Sequence, residues 1–376
     1  MNFVFYTHSL VSDWNHGNAH FLRGVMRELI ARGHTAIALE PQKSWSRNNL
    51  LNEQGEAALA RFEEAFPNLV WQPYGDDFPH EEVLDDADVV VVHEWTDPAL
   101  AERISRTRRE GGSFTLIFHD THHRLVSAEP QTGERLLADY DLVLAFGETL
   151  SERYRRLGWG RQVITWHEAA DTRLFRPIED EEKQADLIWI GNWGDGERTA
   201  ELSEFLMEPA AALGLTGTVR GVRYPSQALV ALGRAGLSYG GWIANVDVPR
   251  AFAQHRVTVH IPRRPYVEAL PGIPTIRVFE ALAAGIPLIC APWDDAEGLF
   301  RPGEDFLHAR HGGEMTGQLK RVLEDEDLAA ALRASGLETI RSRHSCAHRV
   351  DELFEILARH GTARVRQGLA AREAAE

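Results

Sequence analysis

The feature that most restricts the fold is a rhythm. Short apolar, β-branched runs alternate with segments of helical periodicity, stop once, and then begin again. In the first set, Phe3–Tyr6, Thr35–Leu39, Ala87–Val92, Phe114–Phe118 and Leu142–Phe146 read as strands. Between them, Asn18–Ala31 carries Phe21, Leu22, Val25, Met26, Leu29 and Ile30 at helical spacing, closed by Gly33, and a further helix starts near Pro98. The pattern breaks over Ala169–Pro177 and the charged stretch Glu179–Lys183. It resumes with strand-like runs at Leu187–Ile190, Thr218–Arg220, Val257–Ile261 and Pro287–Ala291, and with helices over Arg198–Leu213 and Thr275–Ala284. Strands alternating with helices require crossover connections, and crossovers build parallel sheets. The fold class is therefore α/β, with two Rossmann-like domains expected to face across a cleft and a C-terminal helical segment after them. The expected boundaries are 1–168 for the first domain, 169–184 for a linker, 185–345 for the second domain and 346–376 for the helix and tail.

A length of 376 residues suits two domains better than one core. The net charge of −16 disfavours nucleic acid and anionic lipid as main partners, since both are held by clustered Lys and Arg. The local exception is the run of Arg250, Arg256, Arg263, Arg264 and Arg277. Two distant cysteines, Cys290 and Cys346, build neither a disulfide framework nor a zinc cluster. The N-terminus lacks the basic flank and long apolar run of a signal peptide, and no stretch is long enough to span a bilayer; a cytoplasmic protein is the expectation.

The segment Gly272–Ile289 carries the most chemistry. It reads as loop, helix, tight turn and buried strand. Gly272 allows close backbone approach, while Pro274 and Thr275 favour a helix start. The N–H groups of Ile273, Pro274's neighbours, Thr275 and Ile276 then offer an anion site at that start. Arg277 and Glu280 follow one turn apart; an acceptor-only carboxylate there suits the paired hydroxyls of a ribose, though an ordinary wet helix face would use the same residue. The loop Gly191–Gly196, with Asn192 inside it and Arg198 beyond it, follows the first strand of the second set and suits phosphate without matching a nucleotide fingerprint. Trp242 suits a base pocket or a core equally.

In the first half, His93-Glu94 and His119-Asp120-Thr121-His122-His123 end strands at the edge where open α/β sheets bind ligands. The loop with Asp13, His16, Gly17 and Asn18 reaches the same edge. His93 also fits a plain half-buried strand cap. A metal trio of His119, His122 and His123 is disfavoured, because neighbours in one loop converge badly, and the paired acids Asp76-Asp77, Asp85-Asp86 and Asp294-Asp295 read as solvated surface. No metal site is expected.

"RVFEALAAGIPLI" resembles the nucleotide-sugar site of GT-B retaining glycosyltransferases of the group 1 superfamily, and is most similar to the CgeB-like (spore-maturation-type) branch. "LIWIGNWGDGER", "EAADTRLFRP", "RPGEDFLHAR", "HSCAHRVDELFEIL" and "HGNAHFLRGVMRELIARGHTA" resemble other segments of that family in the same order, so the likeness spans nearly the whole chain. The resemblance implies transfer from a nucleotide-diphosphate sugar, UDP-sugars favoured, with retention and without a metal or other cofactor. It implies that Glu280, Arg277, the helix start, Asn192, Arg198 and Arg263 hold the nucleotide and phosphates, and that His119, with His122 in reserve and Asp120 beside it, serves the transfer. His16, Gly17, Asn18, His93 and Glu94 would line the acceptor side; the acceptor itself (glycan, glycolipid, protein or small metabolite) is left open. One departure is plain: the Glu-x7-Glu pattern of many group 1 enzymes has Gly272 where its first Glu would stand. Two alternatives share the fold, a silent nucleotide-sugar-binding scaffold and a nucleotide-sugar 2-epimerase, whereas a dehydrogenase lacks its glycine fingerprint.

Overall fold

The computed structural model describes residues 1–122, 137–194 and 196–373. The chain divides into two compact units, Met1–Glu168 with Cys346–Glu376, and Ala169–Ser345.

The first unit is built on seven strands: β1 (Asn2–Tyr6), β2 (Thr35–Pro41), β3 (Val70–Tyr74), β4 (Val89–His93), β5 (Thr115–Asp120), β6 (Leu142–Ala145) and β7 (Val163–Thr165). Their order is β3-β2-β1-β4-β5-β6-β7, and every pairing is parallel. The chain order therefore reverses between β1 and β4, which opens a crevice beyond their C-terminal ends. Burial explains the run of four valines in β4: all its side chains are buried, as a central parallel strand covered on both faces demands. Each fully buried valine contributes about 1.5–3 kcal/mol relative to an exposed one.

The C-terminal segment belongs physically to this unit. The ring of Phe354 packs 6.5 Å from Phe3 and 5.1 Å from His34, and Arg32 pairs with Asp351 at 2.5 Å. Trp166 donates its indole N–H to the Arg349 carbonyl at 2.9 Å. The tail helix Ala363–Glu373 has a buried side too, since Val365 is 1% exposed, so it is more than the surface helix its Ala- and Arg-rich composition suggests.

The second unit carries β8 (Ala185–Ile190), β9 (Gly217–Arg220), β10 (Leu237–Tyr239), β11 (His255–His260), β12 (Leu288–Cys290) and β13 (Leu307–His308), in the order β10-β9-β8-β11-β12-β13, again all parallel. Here the reversal lies between β8 and β11. The stretch 169–184 contributes to this core: Ala170 and Phe175 are buried among Ile188, Val278, Phe279 and Ile340. Both units are parallel sheets flanked by helices, the doubly wound α/β architecture that the alternation predicts.

Candidate functional site

In the second unit, the candidate residues gather where β8 and β11 end. Arg198 stands between the two following loops. Its Nε and Nη2 donate to the Asn192 carbonyl at 3.1 and 2.6 Å, and its Nη1 donates to the Ile261 carbonyl at 3.1 Å. The guanidinium lies 5.1 Å over the ring of Trp189. Burial, and then the neighbouring Arg263, push its pKa down to about 10; it remains a cation at neutral pH. Asn192 uses its side-chain oxygen to accept from the Val222 N–H at 3.0 Å, so the loops after β8 and β9 are tied as well. Gly221 shows why a side chain is excluded at this junction: a Cβ there would fall 2.1 Å from the Gly191 carbonyl oxygen. Asp195 of this loop lies outside the described residues.

The helix Ile276–Ala284 begins beside this braced pair of loops. Gly272 has φ 90°, and a Cβ on it would meet the Ala296 Cβ at 2.8 Å. Ile273 and Pro274 are buried, and the Ile273 carbonyl accepts from Trp293 Nε1 at 2.9 Å. Thr275 makes no capping bond to the helix; its hydroxyl pairs with His260 Nε2 at 3.0 Å instead. His260 is 3% exposed and its Nδ1 has no partner. Burial, with Arg198 and Arg277 adding to it, pushes the pKa of His260 down to about 3, which leaves the ring neutral.

Glu280 is fully buried, not on a wet helix face. Its Oε1 accepts from Asn245 Nδ2 at 2.8 Å and its Oε2 accepts from Arg277 Nη1. This carboxylate therefore orients Arg277 and Asn245. The presumed basic patch is not one. Arg250, Arg256, Arg263, Arg264 and Arg277 each pair with a carboxylate: Glu181, Asp186, Glu197, Glu201 and Glu280. Arg198 differs in bonding only carbonyl oxygens among the described residues. Trp242 is half-buried with its indole N–H shielded and without a partner.

In the first unit, β4 and β5 run in register so that His93 lies opposite His119. Their rings meet edge to face at 4.9 Å, and His119 also packs 4.9 Å from Trp166 and 5.9 Å from Phe21. The Nε2 atoms of His16, His93 and His119 are buried without partners. Burial pushes the pKa of His93 down to about 4 and holds those of His16 and His119 well below the ordinary histidine value. All three are neutral at pH 7.

Asp120 faces elsewhere, as the two-residue period of a strand requires. It accepts from the Tyr154 hydroxyl and from the His122 N–H at 2.9 Å, so it is Tyr154, not His119, that it orients. Glu94 accepts from the Thr121 hydroxyl at 2.9 Å, and its other oxygen is buried without a partner. Asn18 bonds Thr121 in turn, which brings the loop after β1 onto the loop after β5. Gly17 is exposed. His123, the third member of the disfavoured metal trio, lies outside the described residues.

Glu94 is held above the ordinary carboxylate range by burial and by the nearby Asp120, and Asp120 is raised by burial. A carboxyl raised in the folded state contributes stability that is fully present below its unfolded pKa, 4.5 for Glu94 and 3.8 for Asp120, and that is lost as pH rises through the folded value. The unfolding midpoint is therefore expected to fall between pH 5 and 8, and Glu94→Gln to flatten that slope. Calorimetric midpoints across the range check this; an equal slope in the variant would show that Glu94 does not titrate as described.

Three of these positions share a signal that could have been read together: β4, β5 and β11 all close on histidine or on a histidine one residue earlier. His260 closes β11 in the way that His93 closes β4. Asn245 and Tyr154 carry no local motif.

Residues 198–355 match the family model described as Glycosyl transferase-like. No curated protein matches the chain. Among solved structures, sucrose-phosphate synthase from Thermosynechococcus elongatus superposes with a TM-score of 0.66 at 13% identity, covering 95% of this chain and 99% of that one. HepE from Anabaena, in complex with UDP and glucose, gives 0.67 at 12% identity with 95% and 99% covered. A glycosyltransferase from Rickettsia africae gives 0.64 at 10% identity with 95% and 98% covered. With the two parallel sheets, these matches show the GT-B fold.

Proposed function

We propose that this chain is a glycosyltransferase that moves a sugar from a nucleotide-diphosphate sugar, UDP-sugars favoured, to an acceptor hydroxyl. The observation that carries this reading is the placement of Arg198. A guanidinium bonded only to carbonyl oxygens sits at the β8–β11 reversal, with Arg277 and the start of the Ile276–Ala284 helix beside it. The charge of Arg198, which no carboxylate among the described residues neutralises, and the N–H groups of the helix start suit a diphosphate, and they act most strongly where negative charge builds as the nucleotide leaves. The Glycosyl transferase-like match and the UDP held by the similar HepE structure support the same assignment.

In this reading Glu280 keeps Arg277 and Asn245 in place for the nucleotide, and His260 presents a neutral ring at the phosphates. His119 serves the transfer, with retention at the anomeric carbon, and the acceptor proton passes to the leaving phosphate oxygen. Arginine supplies the counter-charge that a metal would otherwise provide, so no resident metal is required. The order of the motifs favours the CgeB-like branch.

Thermal unfolding with UDP, GDP, ADP, CMP and dTDP tests the proposal. A ligand that binds only the folded protein stabilises it by about 2.7 kcal/mol at a hundredfold excess over its dissociation constant. One diphosphate, UDP first, is expected to raise the midpoint, and to do so equally with EDTA present. A flat response to all five would abandon the donor site and leave a silent scaffold.

A further inference from the structure

The strands of the second sheet have two ends, and the proposed transfer uses only the one where they finish. The other end, where they begin, carries its own cluster of side chains. Lys183 stands two residues before β8, Arg256 is the second residue of β11, and Gly285 comes three residues before β12. His255 pairs in register with Ala185, so the starts of β8 and β11 lie side by side. A cavity of about 320 Å³ opens here, within the size range of small-molecule sites.

Its charged lining is mostly cationic, in a chain whose net charge is −16. Lys183, Arg256 and Arg333 contribute to it, together with Glu326. Arg256 pairs with Asp186 at 3.1 Å and donates to the Leu323 carbonyl. Arg333 pairs with Glu326 at 2.6 Å, and Glu326 is 77% exposed; such a surface pair contributes little and yields to a competing anion. Lys183 is different. Its ammonium donates to the Ala253 and His255 carbonyls, both at 2.8 Å, and pairs with no carboxylate among the described residues. Glu181, two residues earlier, is engaged by Arg250 and Gln254. An ammonium has three N–H groups, and these two bonds use two of them. Burial, and then the neighbouring Arg333, lower the pKa of Lys183, with Arg256 adding to them and Glu326 opposing. Three cations thus stand against two carboxylates, and one positive charge is left over.

The rest of the lining is apolar. Phe252, Val322 and Ala329 line the cavity from buried positions, and Ile178 lines it while 38% exposed. Cations beside apolar walls suit a molecule that joins one anionic group to an apolar body.

We propose that this cavity is a second ligand site, for a small organic acid of one negative charge. Its carboxylate is held by Lys183 and Arg333 with Arg256 beside them, and its apolar body lies against Ile178, Phe252 and Val322. The site is separate from the proposed nucleotide site. The helix Ile276–Ala284 starts at the latter and finishes at the cavity, and its nine residues span about 13 Å. Both ligands therefore bind at once.

Calorimetric titration of the full chain with 2-naphthoate tests this. The controls are acetate, which has the charge without the body, 2-naphthalenemethanol, which has the body without the charge, and 2-naphthyl phosphate, which adds charge. Naphthoate is expected to bind, with acetate and the alcohol weaker by roughly tenfold or more. Lys183→Met and Arg333→Gln are each expected to weaken naphthoate by roughly tenfold, and UDP to leave its affinity unchanged. The alternative role for Lys183 is to cap the helix Val248–Ala253 through the Ala253 carbonyl. In that case Lys183→Met lowers the unfolding midpoint and leaves naphthoate affinity as it was, which would overturn the proposal. Should Lys183→Met fail to fold, Arg333→Gln decides, since that side chain is 36% exposed on a long helix. No naphthoate binding, equal binding of the alcohol, tighter binding of the phosphate, or displacement by UDP would overturn it equally. Naphthoate is titrated first without nucleotide, so a failure of UDP to bind sinks the donor reading alone.

Discussion

Glu280→Ala is expected to lower the unfolding free energy by about 3 kcal/mol, the loss usual when one partner of a buried pair is removed. The same change is expected to weaken UDP binding by about 1–3 kcal/mol, or roughly 5- to 150-fold. Both follow from one geometry. Glu280 is fully buried and engages Asn245 with one oxygen and Arg277 with the other, so its loss leaves a guanidinium and an amide without their acceptor. Arg277 then has no reason to stay where the proposed phosphate would lie. Glu280→Gln keeps one acceptor and the volume but not the charge, and should fall between the two. Urea unfolding and calorimetry separate the effects: lost stability with unchanged affinity would make Glu280 purely structural.

His119→Ala is expected to reduce turnover about 100-fold or more, the scale seen when one hydrogen-bonding group aimed at a transition state is removed. Nucleotide affinity should hardly change, because His119 belongs to the other unit from the residues proposed to hold the nucleotide. The side chain is 1% exposed, its ring fixed by His93, Trp166 and Phe21, and its Nε2 buried without a partner. A buried nitrogen without a partner costs stability unless a ligand completes it. His119→Asn, which keeps a donor, should retain the fold and part of the rate. Full turnover in both variants would move the role to His93 or His122.

The strands that the sequence made legible are those buried on both faces. Val89–His93 and Leu142–Ala145 have every side chain inside, and a continuous apolar run is what such strands require. The strands that escaped are short or lie toward the sheet edges. Val70–Tyr74 is largely exposed and carries Pro73, which an edge tolerates, while Leu307–His308 is only two residues long. At the site, residue type and strand end pointed to His93 and His119, but partners did not follow. Asp120 adjoins His119 in sequence and turns to Tyr154 because adjacent strand residues face opposite ways. Glu280 suits a ribose by residue type, but its carboxylate is buried and bonded to Asn245, thirty-five residues earlier and unmarked by any motif.

The order in which this chain is made bears on how it matures. The second unit is one uninterrupted run, so a ribosome can release it whole while translation continues. The first unit is split: Phe3 packs against Phe354, and the whole of the second unit lies between them in sequence. At about 5–20 residues per second, the earliest strand waits on the order of tens of seconds for the helix that covers it. During that interval its apolar face is open to chaperones and to neighbouring nascent chains. Removal of Cys346–Glu376 should therefore appear first as aggregation through the Asn2–Tyr6 strand.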